Sequence, residues 1–147
     1  MTNGYYAHRL RRGRTSIPGQ IYHVTTTALD RELQFLDIRH ARAVIRTLMK
    51  SDALRDSDTL AFVLMPDHLH WLFVLGAGRS MSRVVQKVKS SSARLIGHAV
   101  WQKGFHDRAL RAEQDVRQVA RYIIANPVRS GLVEHVADYP HWDAVWL

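Results

Sequence analysis

The fold of this chain is decided by the stretch LAFVLMPDHLHWLFVL, residues 60–75. It contains two apolar runs, Leu60–Met65 and His68–Leu75, separated by the dipeptide Pro66-Asp67. That dipeptide suits a tight turn, so we predict an antiparallel hairpin. The second run is apolar at both odd and even positions, which is typical of a strand covered on both faces. We therefore expect this strand in the interior of a sheet.

Periodic patterns on either side of the hairpin predict the remaining elements. They are, in chain order, a strand at Gln20–Leu29, a helix at Asp37–Leu54, the hairpin, a helix at Met81–Ala99, a weak strand at Gly104–Leu110 and a helix at Glu113–Ala125. This order predicts an α+β fold of the ferredoxin-like kind, an antiparallel sheet with helices packed on it. Residues 1–19 are basic and predict a flexible arm before a single domain, residues 20–147.

Helical spacing also predicts which residues of the second helix are buried. The apolar stripe that begins at Met81 is expected to continue through Leu95 and Ala99. Arg83, Lys87 and Arg94 lie largely off this stripe.

The charge of the chain indicates a partner that is a polyanion. The formal net charge is +8 over 147 residues, and the isoelectric point is about 10.4. A surplus of this size is typical of nucleic-acid binders, although a generic basic protein kept soluble by its charge remains the alternative. The chain has no cysteine, which excludes disulfides and thiolate metal sites and fits a cytoplasmic protein. No apolar run approaches the length of a membrane-spanning helix.

Two histidines of the hairpin form a candidate metal pair. His68 and His70 are two residues apart on a predicted strand, so their side chains point to the same face. Imidazole is a common metal ligand near neutral pH, but ordinary hydrogen bonding at the end of a sheet is the alternative. His106, on the weak strand, could approach the pair or merely pack nearby. We interpret the others as surface or core residues, namely His8, His23, His40, His98, His135 and His141.

The last long helix carries a candidate nucleophile. Tyr122 and Asn126 are four residues apart and share one face, on the flank of the buried stripe, where we expect half-buried side chains beside a cleft. A tyrosine hydroxyl ordinarily has a pKa of about 10, so it needs a nearby cation to act as a nucleophile. The Asn126 amide could supply an oxygen as a third metal ligand. By pattern alone the alternative is favoured, in which Tyr122 packs on the sheet and Asn126 caps the helix before Pro127.

Taken together, these segments resemble a known family. The stretch MPDHLHW, residues 65–71, resembles the His-hydrophobe-His signature of the HUH single-strand nucleases. The stretch RYIIANPVRSGLV, residues 121–133, resembles the tyrosine-helix signature of the REP-associated tyrosine transposases. Residues 100–105, residues 108–111 and the opening strand Ile21–Ala28 are also similar to that group. The resemblance therefore covers nearly the whole chain after residue 19.

The resemblance implies a single-tyrosine transposase that acts on single-stranded DNA. It implies that Tyr122 attacks a backbone phosphate and forms a 5′-phosphotyrosine link. It implies that His68, His70 and Asn126 hold a divalent ion, Mg²⁺ or Mn²⁺. The implied substrate is a short palindromic repeat folded into a hairpin. Whether such an enzyme works as a monomer or as a homodimer that shares active sites stays open.

Two groups of cations are predicted to contact DNA phosphates, with a simple solvated face as the alternative. The first is on the arm and comprises Arg9, Arg11, Arg12 and Arg14; the second is on the second helix and comprises Arg83, Lys87, Lys89 and Arg94. A rival function is non-catalytic binding of single strands through surface aromatics, but Trp71 and Phe73 lie in a strand predicted to be buried. A second rival is an HUH relaxase or replication initiator, with the same chemistry and another substrate.

Overall fold

The computed structural model describes residues 17–111 and 113–146. Its main elements are, in chain order, β1 (Ile21–Thr27), α1 (Ile38–Ala53), β2 (Ser57–Met65), β3 (His68–Leu75), α2 (Met81–Ile96), β4 (His106–Leu110), α3 (Glu113–Ile124), α4 (Asn126–Arg129) and β5 (Trp142–Ala144). Within the described ranges, no helix is both long and apolar enough to cross a membrane.

The strands form one sheet in the order β4-β1-β3-β2-β5. Every neighbouring pair in it is antiparallel. β2 and β3 form the predicted hairpin, and β3 lies at the centre of the sheet, as its two apolar faces indicated. The predicted α+β fold, an antiparallel sheet with helices packed on it, is confirmed.

Helices cover both faces of this sheet. On one face, α1 and α2 pack on Trp71 and Phe73, which are fully buried as predicted and are not available as a stacking platform for bases. On the other face, Ile123 of α3 packs in a second core that includes Leu72. Side chains alternate along β3, so His70 projects on the α3 side of the sheet.

The end of α2 differs from the prediction. The helix ends at Ile96, because Gly97 adopts a left-handed conformation with φ of 101° and caps it. Ala99 therefore lies beyond the helix and is exposed. Leu95 is 56% exposed and lines a groove between α1 and α2. The predicted burial of Leu95 and Ala99 is wrong, because the helical period does not show where a helix ends or which turns a neighbour covers.

The start of β2 is earlier than predicted, at Ser57 instead of Leu60. The Asp52 carboxylate, at the end of α1, accepts a hydrogen bond from the Ser57 hydroxyl at 2.6 Å. It also accepts bonds from the backbone N–H of Thr59 at 3.2 Å and from the Thr59 hydroxyl at 2.9 Å. A side chain outside the strand thus holds its polar first residues in place.

Candidate active site

The site begins with two imidazoles at the start of β3. The rings of His68 and His70 meet edge to face, with centroids 5.0 Å apart and an angle of 80° between their planes. Both lie on the sheet face that α3 covers. In the register of the sheet, His70 is opposite Val63 of β2, and Val63 packs in the same core as Ile123 of α3. The tyrosine helix therefore packs on the same face of the sheet as the histidine pair.

Each ring of the pair is held through its Nδ1 atom. His68 Nδ1 lies 2.7 Å from an oxygen of Asp67. His70 Nδ1 lies 3.0 Å from Nε2 of His23 and 3.2 Å from the Thr25 hydroxyl. In both rings, Nε2 is consequently the nitrogen left to bind an ion. A hydrogen bond on the opposite nitrogen is the usual support of a metal-binding imidazole.

Burial keeps two of these imidazoles uncharged. It lowers the pKa of His70 from 6.5 to about 3, and the charges of His68, His23 and Arg129 act in the same direction. Burial also lowers the pKa of His23 to about 4, assisted by the positive charge of Arg108. Both rings are neutral near pH 7, which is the form that binds a metal ion.

Tyr122 is open to solvent, because 59% of its surface is exposed. The expectation of a half-buried position on the flank of α3 is therefore wrong. Val116, Ala120 and Ile123 face the sheet, and Tyr122 is turned by about 100° from Ile123. Its ring packs instead on the guanidinium of Arg129, whose Cζ lies 3.8 Å from the ring centroid. The hydroxyl is thus accessible to a macromolecular substrate.

Arg129 links Tyr122 and Asn126 at the junction of α3 and α4. Its Nη1 donates to the backbone carbonyl of Tyr122 at 2.8 Å, and its Nη2 donates to Oδ1 of Asn126 at 2.6 Å. Its charge contributes to the lowered pKa of His70. The structure therefore brings Tyr122 and Asn126 into contact with one guanidinium.

Asn126 does not cap α3 with its side chain. Its Oδ1 accepts from Arg129, and its Nδ2 is buried with no hydrogen-bond partner among the residues described. The backbone continues helically after Ala125, so Asn126 opens α4. A buried polar atom without a partner is costly and uncommon in folded proteins.

The donor set limits how a metal ion could be held. Over residues 17–111 and 113–146, no three histidine, cysteine or acidic side chains are grouped so that they could hold an ion by themselves. His68 and His70 would need a further oxygen. Oδ1 of Asn126 has a second lone pair besides the one that Arg129 uses, so the three predicted residues fit an ion chemically.

Lys89 is not a phosphate contact, contrary to the prediction. It is only 5% exposed. Its Nζ donates to the backbone carbonyls of Gln102 at 3.0 Å and Gly104 at 2.7 Å. Burial lowers the pKa of its ammonium group. The reason is that the loop after α2 folds back over the helix and brings two carbonyls to the edge of the buried stripe.

Replacing Lys89 with methionine should therefore destabilise the fold. The change leaves two buried carbonyls without a donor, so we expect the free energy of unfolding to fall by about 2–4 kcal/mol. Arg83→Met, at an exposed position of the same helix, is the matched control and should cost less than about 0.5 kcal/mol. Urea unfolding measures both. Equal losses in the two variants would contradict the structural role of Lys89.

The other predicted cations have different positions. Arg83 and Arg94 are exposed on α2, and Nζ of Lys87 lies 3.3 Å from a carboxylate oxygen of Asp56. α2 covers the sheet face opposite the histidine pair, so these cations lie away from it. A groove of about 450 Å³ between α1 and α2 has a rim of four cations, Arg46, Lys50, Lys87 and Arg94. The arm residues Arg9, Arg11, Arg12 and Arg14 lie outside the described part of the chain.

The contacts of His23 and Arg129 were not predicted from the sequence. His23 was assigned to the surface or core, but β1 pairs with β3 so that Thr25 is opposite His70, and His23 reaches the same ring from the diagonal position. Only the register between β1 and β3, two strands that are far apart in sequence, could have predicted the contact of His23 with His70. His106 is opposite Thr25 on the other side, which places it in the same row of the sheet and on the same face.

Comparison with known proteins shows the family of this chain. A family model described as "Transposase IS200 like" matches residues 16–126. The chain belongs to this family. The REP-associated tyrosine transposase of Escherichia coli strain K12 is 28% identical over 126 residues, which cover 84% of this chain and 76% of the relative. A putative REP-associated tyrosine transposase of Haemophilus influenzae is 25% identical over 100 residues, and this chain spans 57% of its length.

Solved structures agree with this assignment to the IS200-like transposases. A structure of a REP-associated tyrosine transposase bound to a REP hairpin has a TM-score of 0.77 and 27% identity, and covers 88% of this chain and 79% of that one. A putative transposase from Deinococcus radiodurans has a TM-score of 0.55 at 19% identity and shows the fold alone. The resemblance to REP-associated tyrosine transposases is confirmed, and this IS200-like transposase is an enzyme of the tyrosine transposase class.

Proposed function

We propose that this transposase cleaves and rejoins single-stranded DNA beside a hairpin of the REP type. The observation that carries the proposal is that α3, which bears the exposed Tyr122, packs on the same face of the sheet as His68 and His70. Arg129 contacts both Tyr122 and Asn126. The solved relative bound to a REP hairpin supports the choice of substrate.

In this proposal Tyr122 is the nucleophile. Its hydroxyl oxygen attacks the scissile phosphorus, the new Oη–P bond forms and the P–O3′ bond breaks. The tyrosine proton is lost and the departing 3′ oxygen gains one, which leaves a free 3′-hydroxyl and a 5′-phosphotyrosine. A 3′-hydroxyl from another strand reverses the step and joins the strands. The exposure of Tyr122 suits an approach by DNA.

Arg129 prepares Tyr122 for this reaction. Its guanidinium lies on the face of the phenol ring and is attracted by the ring electrons. The same positive charge favours negative charge that develops on the phenol oxygen or on the phosphate. Its bonds to the Tyr122 carbonyl and to Oδ1 of Asn126 fix the junction between α3 and α4.

We propose that His68, His70 and Asn126 hold a divalent ion, Mg²⁺ or Mn²⁺. A divalent ion bound there would neutralise and orient the scissile phosphate. The hydrogen bond between Asp67 and Nδ1 of His68 fixes the ring, so Nε2 is the nitrogen that would bind the ion. Imidazole ligands favour Mn²⁺ over Mg²⁺ on intrinsic grounds. We propose a cytoplasmic enzyme that meets its DNA there.

Cations outside the site would bind phosphates remote from the one that is cleaved. The proposed contacts are Arg83, Lys87 and Arg94 on α2, with Arg9, Arg11, Arg12 and Arg14 of the amino-terminal segment. Such contacts position DNA and carry no sequence information. The α2 cations lie across the sheet from the histidine pair, so the bound DNA would extend over two sides of the molecule.

Neutralising the α2 face should weaken DNA binding and reduce its salt dependence. In the triple variant Arg83→Gln, Lys87→Gln, Arg94→Gln, the slope of log Kd against log salt should fall by about 0.7–0.9 for each phosphate that the protein no longer neutralises. Lys103→Gln, an exposed charge on a loop, is the control. Fluorescence anisotropy at low and at high salt gives the slopes. A slope unchanged from the wild type would remove the α2 face from the DNA interface.

The proposed activity is tested with matched oligonucleotides. A single strand that carries a palindromic hairpin and a flanking tail is labelled at either end, and a second strand has the same composition with the palindrome scrambled. We expect Mn²⁺-dependent cleavage of the hairpin substrate, with a free 3′-hydroxyl on one fragment and protein on the 5′ end of the other. Equal cleavage of both strands would contradict hairpin recognition, and cleavage of neither would contradict the nuclease activity.

A further inference from the structure

The histidine pair is in contact with a third imidazole, His23 of β1. Its Nε2 lies 3.0 Å from Nδ1 of His70, and the two rings are stacked with centroids 5.2 Å apart. We infer that His23 is a positioning residue that accepts a hydrogen bond from His70 and keeps its Nε2 directed to the ion. This inference rests on the proposed metal site.

The position of the protons explains why His70 needs such a partner. An imidazole that binds a metal through Nε2 is neutral and carries its proton on Nδ1. That proton must be donated, and the acceptors beside His70 Nδ1 are Nε2 of His23 and the Thr25 hydroxyl, the latter at 3.2 Å. When His23 accepts, its own proton lies on its Nδ1. The opposite arrangement, with His23 as donor, would put the His70 proton on Nε2 and block the ion.

Different partners hold the two proposed ligands. His68 has a carboxylate, with Asp67 at 2.7 Å from its Nδ1. The partners of His70 Nδ1 are instead the neutral ring of His23 and the hydroxyl of Thr25, both from β1. The pairing of β1 with β3 puts Thr25 opposite His70 and places His23 at the diagonal position, within reach of a long side chain. The central pair of strands therefore supplies both the ligand and its support.

The contribution of His23 can be separated from that of Thr25. His23→Leu removes the ring acceptor, His23→Gln retains an acceptor, and Thr25→Val removes the hydroxyl alone. Binding of Mn²⁺ to the whole protein without DNA is followed by the EPR signal of the free ion, so the readout does not depend on cleavage. His135→Leu, at an exposed imidazole in the chain after α4, is the control.

We expect His23→Leu to raise the Kd for Mn²⁺ by about 10–100-fold, the usual effect of losing a partner behind a metal ligand. His23→Gln should recover most of this loss, and His135→Leu should bind as the wild type does. Equal affinity of His23→Leu and the wild type would overturn the inference and leave the proposed metal site intact. A wild type that binds no Mn²⁺ would overturn both.

A second measurement tests the inference on the wild type, even if His23→Leu fails to fold. Nitrogen-15 spectra of the imidazole rings in the metal-free wild type report which nitrogen of His70 carries the proton. We expect the proton on Nδ1 of His70 and, in His23→Leu, a mixture of the two tautomers. A wild-type His70 protonated on Nε2 would overturn the inference, because that tautomer makes His23 the donor.

Discussion

Tyr122→Phe is expected to abolish DNA cleavage and to leave DNA binding unchanged. The change removes a single oxygen and keeps the ring on which the Arg129 guanidinium packs. If that oxygen forms the bond to phosphorus, cleavage should fall by at least about 10³-fold, as when other covalent nucleophiles are removed. Affinity for the hairpin strand should stay within about twofold, because phosphate contacts dominate it. Gel analysis of labelled fragments and anisotropy measure the two effects.

Tyr139→Phe is the matched control for this experiment. The Tyr139 hydroxyl donates to the backbone carbonyl of Leu64, and burial raises its pKa to about 12. Its loss should cost some stability and leave cleavage intact at temperatures where the protein is folded. If Tyr122→Phe cleaves as fast as the wild type, the nucleophile lies elsewhere and the proposed mechanism is wrong.

His70→Ala is expected to have the second large effect, on metal binding. His70 is a proposed direct ligand, so its removal should raise the Kd for Mn²⁺ by more than the roughly 10–100-fold that loss of an outer partner causes. Metal-dependent cleavage should be lost with it. Titration of Mn²⁺ by EPR measures the first effect, and cleavage at increasing Mn²⁺ measures the second.

His98→Ala is the control for His70→Ala, because it removes an imidazole that is not a proposed ligand. His98 is exposed near the end of α2, and its Nδ1 lies 2.9 Å from the carbonyl of Ala99. We expect this variant to bind Mn²⁺ and cleave DNA as the wild type does, and thermal unfolding in chelator checks the fold of both variants. Wild-type cleavage that persists in chelator and does not respond to Mn²⁺ would contradict the role of the metal.

Local signals were sufficient to predict most of the fold. The two apolar runs in residues 60–75 and the helical periods around them determined the strands, the helices and the central place of β3. The same-face placement of His68 and His70 follows from strand geometry alone. Errors occurred where an element ends, since the left-handed conformation of Gly97 ends α2 and leaves Ala99 outside it.

Contacts between distant segments could not be predicted from the sequence. Lys89 was predicted to contact DNA because of its positive charge. In the structure a loop folds over it, and its ammonium group donates to two backbone carbonyls of that loop. His23 meets His70 through a strand register that joins residues 47 positions apart. Tyr122 faces away from the sheet, and its ring packs on Arg129 of the next short helix, a contact that the sequence pattern did not indicate. These contacts of Lys89, His23 and Arg129 depend on tertiary packing, which periodicity does not encode.

The most direct test of the central claim is to map the covalent adduct on the protein. The wild-type protein is incubated with Mn²⁺ and a hairpin strand that has only a short stretch of DNA on the 5′ side of the cleavage site, so that the short 3′-hydroxyl fragment diffuses away and rejoining is prevented. Proteolysis and mass spectrometry then locate the attached nucleotide. We expect it on the peptide that contains Tyr122, linked through a 5′ phosphate. An adduct on any other residue, or cleavage without an adduct, would contradict the account.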